Sequence, residues 1–384
     1  MRFEFATATR IIFGAGTLAE IGTAAASFGQ RALVVTRADQ SSADPLLDLL
    51  SSAGIDTITY AADGEPTINA VLEGVRRARE GRCDLVIGFG GGSVIDMGKA
   101  VAALITNPGD PLDYLEVIGR GQALTQPPLP YIAMPTTAGT GSEVTRNAVL
   151  GSPEHRVKVS LRSPLMLPKI ALVDPELTYN LPPEITAYTG LDALTQVIEP
   201  FVCNQPAPLT DAICREGIRR ASYALLRAYE HGGDTAARED MALVSLSGGL
   251  ALANARLGAV HGFAGPFGGM FDAPHGAVCA ALLPHVITAN IAALKTRQPD
   301  SAALKRYDEV AQLLTGDRTA TAADGAEWIG ELCEMLHVPG LSAYGVTKAD
   351  LADLIEKSAR SSSMKGNPIA LTPDEMRGIL TQAL

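Results

Sequence analysis

The sequence predicts an α/β N-terminal domain built on a Rossmann-like parallel sheet, followed by an all-α C-terminal domain. Three observations carry that prediction. Short β-branched runs alternate with helix-like stretches from Arg31 to Asp174. The texture then changes after Pro182 to long Ala/Leu-rich segments at helical spacing. Finally, 384 residues with 47% hydrophobic content exceed what one compact domain ordinarily holds.

The elements follow in order. Ala32–Thr36, Thr57–Tyr60, Leu85–Gly88, Tyr131–Met134 and Ile170–Asp174 are expected strands. Their hydrophobicity is almost continuous rather than alternating, which fits parallel strands buried on both faces by crossover helices. Beyond them, Thr186–Ile198, Arg238–Leu257 and Gly276–Ala293 are expected helices. Leu181-Pro182-Pro183 marks the junction, because proline disfavours helix in the residue before it and suits a first helical turn. The expected domains are therefore 1–180 and 181–384, with a ligand cleft expected between them.

Composition removes several classes of function. A net charge of -11, with no local Lys/Arg cluster, opposes nucleic acid and anionic lipid as partners. The start MRFEFATATR lacks the basic and apolar regions of a signal peptide, and no later apolar run reaches the ~18 residues of a span. A cytoplasmic protein with no membrane partner is expected. The five cysteines, Cys83, Cys203, Cys214, Cys279 and Cys333, are odd in number and lack CxxC spacing. Buried free thiols are expected rather than disulfides or a thiolate zinc site.

Chemistry concentrates in three places. Val86 to Asp96 runs from a strand through Gly90, Gly91, Gly92 and Ser93 into a helix beginning near Val94. Glycines let backbone N–H groups approach a pyrophosphate, and a helix N-terminus adds partial positive charge. The bland alternative is a glycine-rich turn, and the earlier Gly14-Ala15-Gly16 is a weaker case of the same pattern. Met134 to Glu143 places Thr136, Thr137, Thr140 and two glycines after another expected strand. Each loop alone is explicable as a capped turn. Two such loops at the carboxyl ends of one parallel sheet favour a dinucleotide. In the helical half, Asp192 lies among apolar neighbours and shares a helix face with Gln196 at i, i+4. A buried carboxylate there needs a cation, a hydrogen-bond network or a metal. His261 and His275 bracket a glycine-rich stretch, and histidine with carboxylate suits Zn or Fe(II), although either histidine alone is more often structural.

At these residues the chain resembles the iron-containing (group III) alcohol dehydrogenase family over essentially its whole length. The resemblance rests on GGGSVIDMGKA (Gly90–Ala100), MPTTAGTGSEVT (Met134–Thr145), VDPELT (Val173–Thr178), GLDALTQVIEP (Gly190–Pro200) and HGFAGPFGGMFDAPHGAVCAALLPHV (His261–Val286). It implies a dehydroquinate-synthase-like fold, with a nucleotide-binding domain and a helical metal-binding domain. By resemblance, Gly91, Gly92 and Ser93 hold the pyrophosphate, Thr136, Thr137 and Thr140 line the cofactor, and Lys158 lies beside it. Asp192, His261 and His275 match three of the family's four metal ligands and carry the catalytic role. The fourth, usually histidine, is Gln196, which either ligates through its amide oxygen or leaves an Asp-His-His site. A further family histidine linked to proton relay is Gly265 here, and His285 is expected to pack within its helix rather than ligate. Arg37 stands where relatives carry a ribose-binding aspartate; it suits a 2′-phosphate, while Asp39 still serves NAD, so NAD and NADP both remain open.

The resemblance thus implies hydride transfer between NAD(P) and a small alcohol or aldehyde, assisted by Fe2+ or Zn2+, in a homodimer. Three alternatives draw on the same residues. A metal-independent enzyme resembling maleylacetate reductase survives chelation. A lyase resembling dehydroquinate synthase shows no net consumption of nicotinamide. A non-catalytic nucleotide-binding protein binds cofactor without turnover.

Overall fold

The computed structural model describes residues 2–37, 40–62, 64–155 and 157–384. The chain forms two compact units. One comprises Ala6–Thr137 with Gly141–Thr178; the other comprises Met1–Phe5, Ala138–Thr140 and Tyr179–Leu384.

The first unit is α/β. Its strands are β1 (Arg10–Phe13), β2 (Arg31–Arg37), β3 (Asp56–Ala62), β4 (Leu85–Gly90), β5 (Tyr131–Pro135), β6 (Asn147–Ser152), β7 (Val157–Arg162) and β8 (Ile170–Val173). Its helices are α1 (Ile21–Ala26), α2 (Asp44–Ser52), α3 (Ile68–Glu80), α4 (Gly92–Thr106) and the single turn α5 (Pro111–Tyr114). Six strands make one sheet in the order β1-β8-β5-β4-β2-β3, and every pairing in it is parallel. Successive strand residues serve opposite faces. Leu33, Val35 and Val86 pack with Val71 and Val75 of α3 and with α4, whereas Ala32, Val34, Leu85 and Ile87 pack with Ile21 of α1 and Leu46 and Leu50 of α2. Burial on both faces explains why these strands read as continuous apolar runs. From β2 the chain moves to the edge strand β3 and then returns past β2 to β4, so the strand order reverses between β2 and β4. Carboxyl ends at such a reversal are where open α/β sheets bind nucleotides.

Two features of this unit differ from the sequence expectation. β1 is not among the expected strands, being only four residues long and on the sheet edge, with a single buried residue, Ile12. The antiparallel hairpin β6–β7 was also missed; its alternating burial is that of a strand with one buried face, unlike the all-buried strands around it. The Gly14–Gly16 turn is structural. Gly14 and Gly16 have φ of 144° and 76°, and Asp174 of the VDPELT segment accepts N–H bonds from Gly16 (3.1 Å) and Leu18 (2.9 Å).

The second unit is helical: α6 (Pro183–Val202), α7 (Pro208–Glu230), α8 (Thr235–Asn254), α9 (Ala259–Met270), α10 (His275–Arg297), α11 (Ala302–Thr315), α12 (Ala322–Met335), α13 (Leu351–Ala359) and α14 (Pro373–Gln382). Leu191, Leu194, Val197, Ile198 and Phe201 of α6 are at most 1% exposed, so this helix is the centre of the core. Around it pack Ile218 and Leu225 of α7, Val244 of α8, Phe263 and Phe267 of α9, and Leu282 and Leu283 of α10. α10 is long and apolar enough to cross a membrane, yet 72% of its apolar window is buried inside the unit. The expected helix Arg238–Leu257 stops at Asn254, and the glycine-rich stretch after it folds as α9, which composition concealed. Gly258 precedes α9 where a side chain would not fit: a Cβ there would lie 2.8 Å from Glu199 Oε1 and 3.0 Å from Asn367 Oδ1.

Candidate metal centre and nucleotide loop

Asp192, Gln196 and Glu199 follow one another at i, i+4 and i+7, so they form a polar stripe along one face of α6. All three are at most 5% exposed. His261 stands in the first turn of α9, His275 opens α10, and Cys279 lies one turn further on. Helix packing brings these together. His261 Nε2 is 3.3 Å from Asp192 Oδ1, His275 Nε2 is 3.9 Å from the same oxygen, and Cys279 Sγ is 3.6 Å from His275 Nε2. One donor atom from each of Asp192, His261, His275 and Cys279 lies within 4.8 Å of the other three.

The other side of His261 is fixed as well. Its Nδ1 is 2.7 Å from Glu199 Oε2, while Glu199 Oε1 accepts the Val260 N–H at 2.7 Å. Asn367 Oδ1 accepts the neighbouring Ala259 N–H at 3.1 Å and is itself held by Asn290. The first turn of α9 is thus capped by side chains from α6 and from the segment after α13, replacing the cap that Gly258 lacks. An imidazole whose Nδ1–H is held by a carboxylate presents Nε2 as a lone-pair donor.

The electrostatics suit a cation. Burial alone would push the Asp192 carboxyl up, but the imidazoles of His261 and His275 outweigh it and hold the carboxyl below its usual range. Burial opposes charge on His261, yet Asp192 and Glu199 overcome it and raise the imidazole to about 10. Burial and the same two carboxylates push the Cys279 thiol well up. Asp192 Oδ1 is buried without a hydrogen-bond partner, which a buried carboxylate oxygen tolerates poorly. Carboxylate, two imidazoles and a thiol around that oxygen fit a divalent metal.

Gln196 lies one turn beyond Asp192 on the same stripe of α6. Its amide nitrogen donates to the Gly139 carbonyl at 3.1 Å, and its Oε1 is buried without a hydrogen-bond partner. Gly265 faces open space, since a Cβ there would meet nothing within 4 Å. The family resemblance names Asp192, Gln196, His261 and His275 as ligands; the sequence reading counts Cys279 among buried free thiols and does not include Glu199. The HxxxC spacing on α10 and the i+7 position on α6 were the available signals.

In the α/β unit, β4 ends at Gly90, Gly91 caps the next helix with extended backbone, and α4 begins at Gly92 and Ser93. β5 ends beside it: the Thr136 N–H donates to the Gly90 carbonyl at 3.0 Å, and a Cβ on Gly91 would lie 3.4 Å from Thr137 Cγ2. The two expected loops therefore meet, with Gly91, Gly92, Ser93, Thr136 and Thr137 grouped at adjacent strand ends. Beneath them Lys99, 1% exposed, donates to the Ser142 carbonyl, Thr145 Oγ1 and the Asn147 carbonyl at 2.8, 2.9 and 2.7 Å, with Asp96 Oδ1 at 3.7 Å. Thr145 is thereby committed to the interior. Lys158 lies on β7 and pairs with Glu65 at 3.2 Å. Thr140 clusters with the helical unit. Arg37 is exposed at the end of β2, and Asp39 lies outside the described residues.

Comparison with known proteins shows the family. Residues 8–175 match the family model for iron-containing alcohol dehydrogenase, and residues 186–384 match the C-terminal model of the same family. The 1,3-propanediol dehydrogenase of Klebsiella pneumoniae is 34% identical over 390 residues, covering 99% of this chain and 98% of that protein. The NAD-dependent methanol dehydrogenase of Bacillus methanolicus is 32% identical, with 97% of each chain covered. The crystal structure of a 1,3-propanediol oxidoreductase superimposes with a TM-score of 0.92 at 32% identity, over 100% of both chains. The chain is a member of the iron-containing alcohol dehydrogenase family, an oxidoreductase that acts on CH–OH groups with NAD(P) and a divalent metal.

Proposed function

We propose that Asp192, His261 and His275 hold the divalent ion of this dehydrogenase, and that Gly91, Gly92, Ser93, Thr136 and Thr137 receive the dinucleotide. Thr140, Lys158 and Asp39 complete the proposed cofactor contacts. The observation that carries this reading is the convergence of both imidazole Nε2 atoms on the buried Asp192 Oδ1. When bound, the ion supplies a Lewis acid for the substrate oxygen and the nicotinamide gives or takes the hydride. The chain's own residues prepare for that chemistry. Glu199 accepts the His261 Nδ1–H, so the Nε2 proton is the one an incoming ion displaces. Asp192 contributes negative charge from a position 2% exposed. The backbone N–H groups at the start of α4 suit a pyrophosphate.

The substrate is a small-molecule alcohol or aldehyde. We further propose that it is a small primary one, as the printed names of the propanediol and methanol dehydrogenases are of that kind. A homodimer is proposed because two-fold assemblies are the commonest closed oligomers. A cytoplasmic location is proposed because the five cysteines are free and buried, as suits a reducing compartment.

The test is oxidation of NADH and NADPH with an aldehyde panel, using protein stripped of metal and resupplied with Fe(II) or Zn(II). Activity should return only with metal, and His261→Ala should abolish it while NADH still binds by fluorescence titration. Full activity in stripped protein or in His261→Ala would overturn the metal assignment.

A further inference from the structure

We propose that Cys279 is the fourth metal donor, so that the ion is held by an Asp-His-His-Cys set while Gln196 braces the backbone at Gly139. The inference rests on the metal reading of Asp192, His261 and His275 and adds one ligand to it.

Geometry is the first argument. Donors around a tetrahedral ion with bonds of about 2.0–2.3 Å are about 3.3–3.8 Å apart. The separations of His261 Nε2 and His275 Nε2 from Asp192 Oδ1 are 3.3 and 3.9 Å, and that of Cys279 Sγ from His275 Nε2 is 3.6 Å. These three separations stand close to the spacing of a metal shell, and all four donor atoms lie within 4.8 Å of one another. Placement is the second argument. His275 and Cys279 are one turn apart on α10, so both aim at the same stretch of α6. The N-terminus of α10 is locked there by close backbone contact: a Cβ on Gly276 would lie 2.3 Å from the Tyr188 carbonyl oxygen. Chemistry is the third. Cys279 is fully buried beside the donors, where its Sγ neighbours a histidine nitrogen rather than apolar atoms alone, while Gln196, its amide nitrogen held by Gly139 and its Oε1 without a hydrogen-bond partner, offers only a hard, weak amide-oxygen donor. On binding, the S–H bond breaks, its proton passes to water, and the sulfur pair forms the bond to the ion. A thiolate is a softer donor than an imidazole, so the set favours zinc over Fe(II) relative to an all-histidine complement.

Two measurements on the full-length protein test this. X-ray absorption at the zinc edge of wild-type protein, stripped and reloaded with one equivalent of Zn(II), should contain one sulfur at about 2.3 Å among nitrogen and oxygen neighbours. Loaded instead with Co(II), wild-type protein should show a near-ultraviolet thiolate-to-cobalt band. That band should vanish in Cys279→Ser and persist in Gln196→Ala and in the control Cys214→Ser. Zinc affinity in Cys279→Ser should fall at least about tenfold, the lower bound for lost partners even one shell further out. A zinc shell of nitrogen and oxygen only, or a cobalt band unchanged in Cys279→Ser, would overturn the inference while leaving the three-residue site standing. Stoichiometric Co(II) binding in His261→Ala would instead overturn the underlying site reading. The absorption measurement needs no variant and so decides the matter even if Cys279→Ser fails to fold.

Discussion

At the scale of single residues, Glu199 shows how a site depends on groups that never reach the reacting atoms. One carboxylate oxygen orients His261 and the other caps the first turn of α9 through Val260 N–H. Glu199→Gln keeps the volume but loses the acceptor charge, and metal affinity should fall about 10–100-fold. Competition with a chromophoric chelator reads this directly, and unchanged affinity would remove Glu199 from the site. The residue was not legible beforehand, because Pro200 next to it signals a helix end, yet α6 runs through to Val202. Asp192 was legible, since a carboxylate flanked by Leu191, Ala193 and Leu194 has no amphipathic excuse for being there. Cys279 was hidden by the ordinary rule that free cysteines are among the most buried residues. Its meaning comes from α6, which lies far away in sequence.

At the scale of elements, the turn from β4 into α4 separates glycines needed for folding from glycines needed for binding. A Cβ on Gly90 would sit 2.7 Å from Val94 Cβ, a distance that forces a shift, whereas one on Gly91 meets only Thr137 at ordinary contact. Gly90→Ala should therefore lower the melting temperature. Gly91→Ala should fold normally and raise KM for NADH several-fold, because the methyl stands where the phosphate approaches. Melting curves and initial rates on both variants check the contrast; equal KM values in Gly91→Ala and wild type would detach this loop from the cofactor. The sheet itself was legible where strands are buried on both faces, as in β2, β4, β5 and β8. It was not legible at β1 or in β6–β7, where short length or one-sided burial dilutes the apolar signal. Helix α9 was concealed for another reason. Glycine and proline argue against helix when considered singly, but its first turn is capped by Glu199 and Asn367 from elsewhere in the fold.

At the scale of the whole molecule, stability carries a pH dependence written by a buried ionic group in the α/β unit. Glu143 is 1% exposed, and burial raises it from the ordinary 4.5 to about 7. Its folded form holds a proton that its unfolded form has released, so the contribution to stability is complete below about 4.5 and is lost as pH rises to about 7. Asp96, raised by burial, acts in the same direction, while Lys99, lowered by burial, acts in the opposite sense toward alkaline pH. Urea unfolding of wild-type protein across that window should lose up to about 1.4 kcal/mol per pH unit from one such proton. Glu143→Gln should flatten the slope; an unchanged slope would show that Glu143 titrates normally. The helical unit has its own global device. Its proposed metal donors come from α6 on one side of the chain and from α9 and α10 on the other, with all of α7 and α8 between them. An ion held there would be a reversible cross-link between distant parts of the chain, and because only the folded unit assembles its donors, its binding free energy would add to folding. Withdrawing the ion takes away a Lewis acid and, in the same act, unfastens the chain.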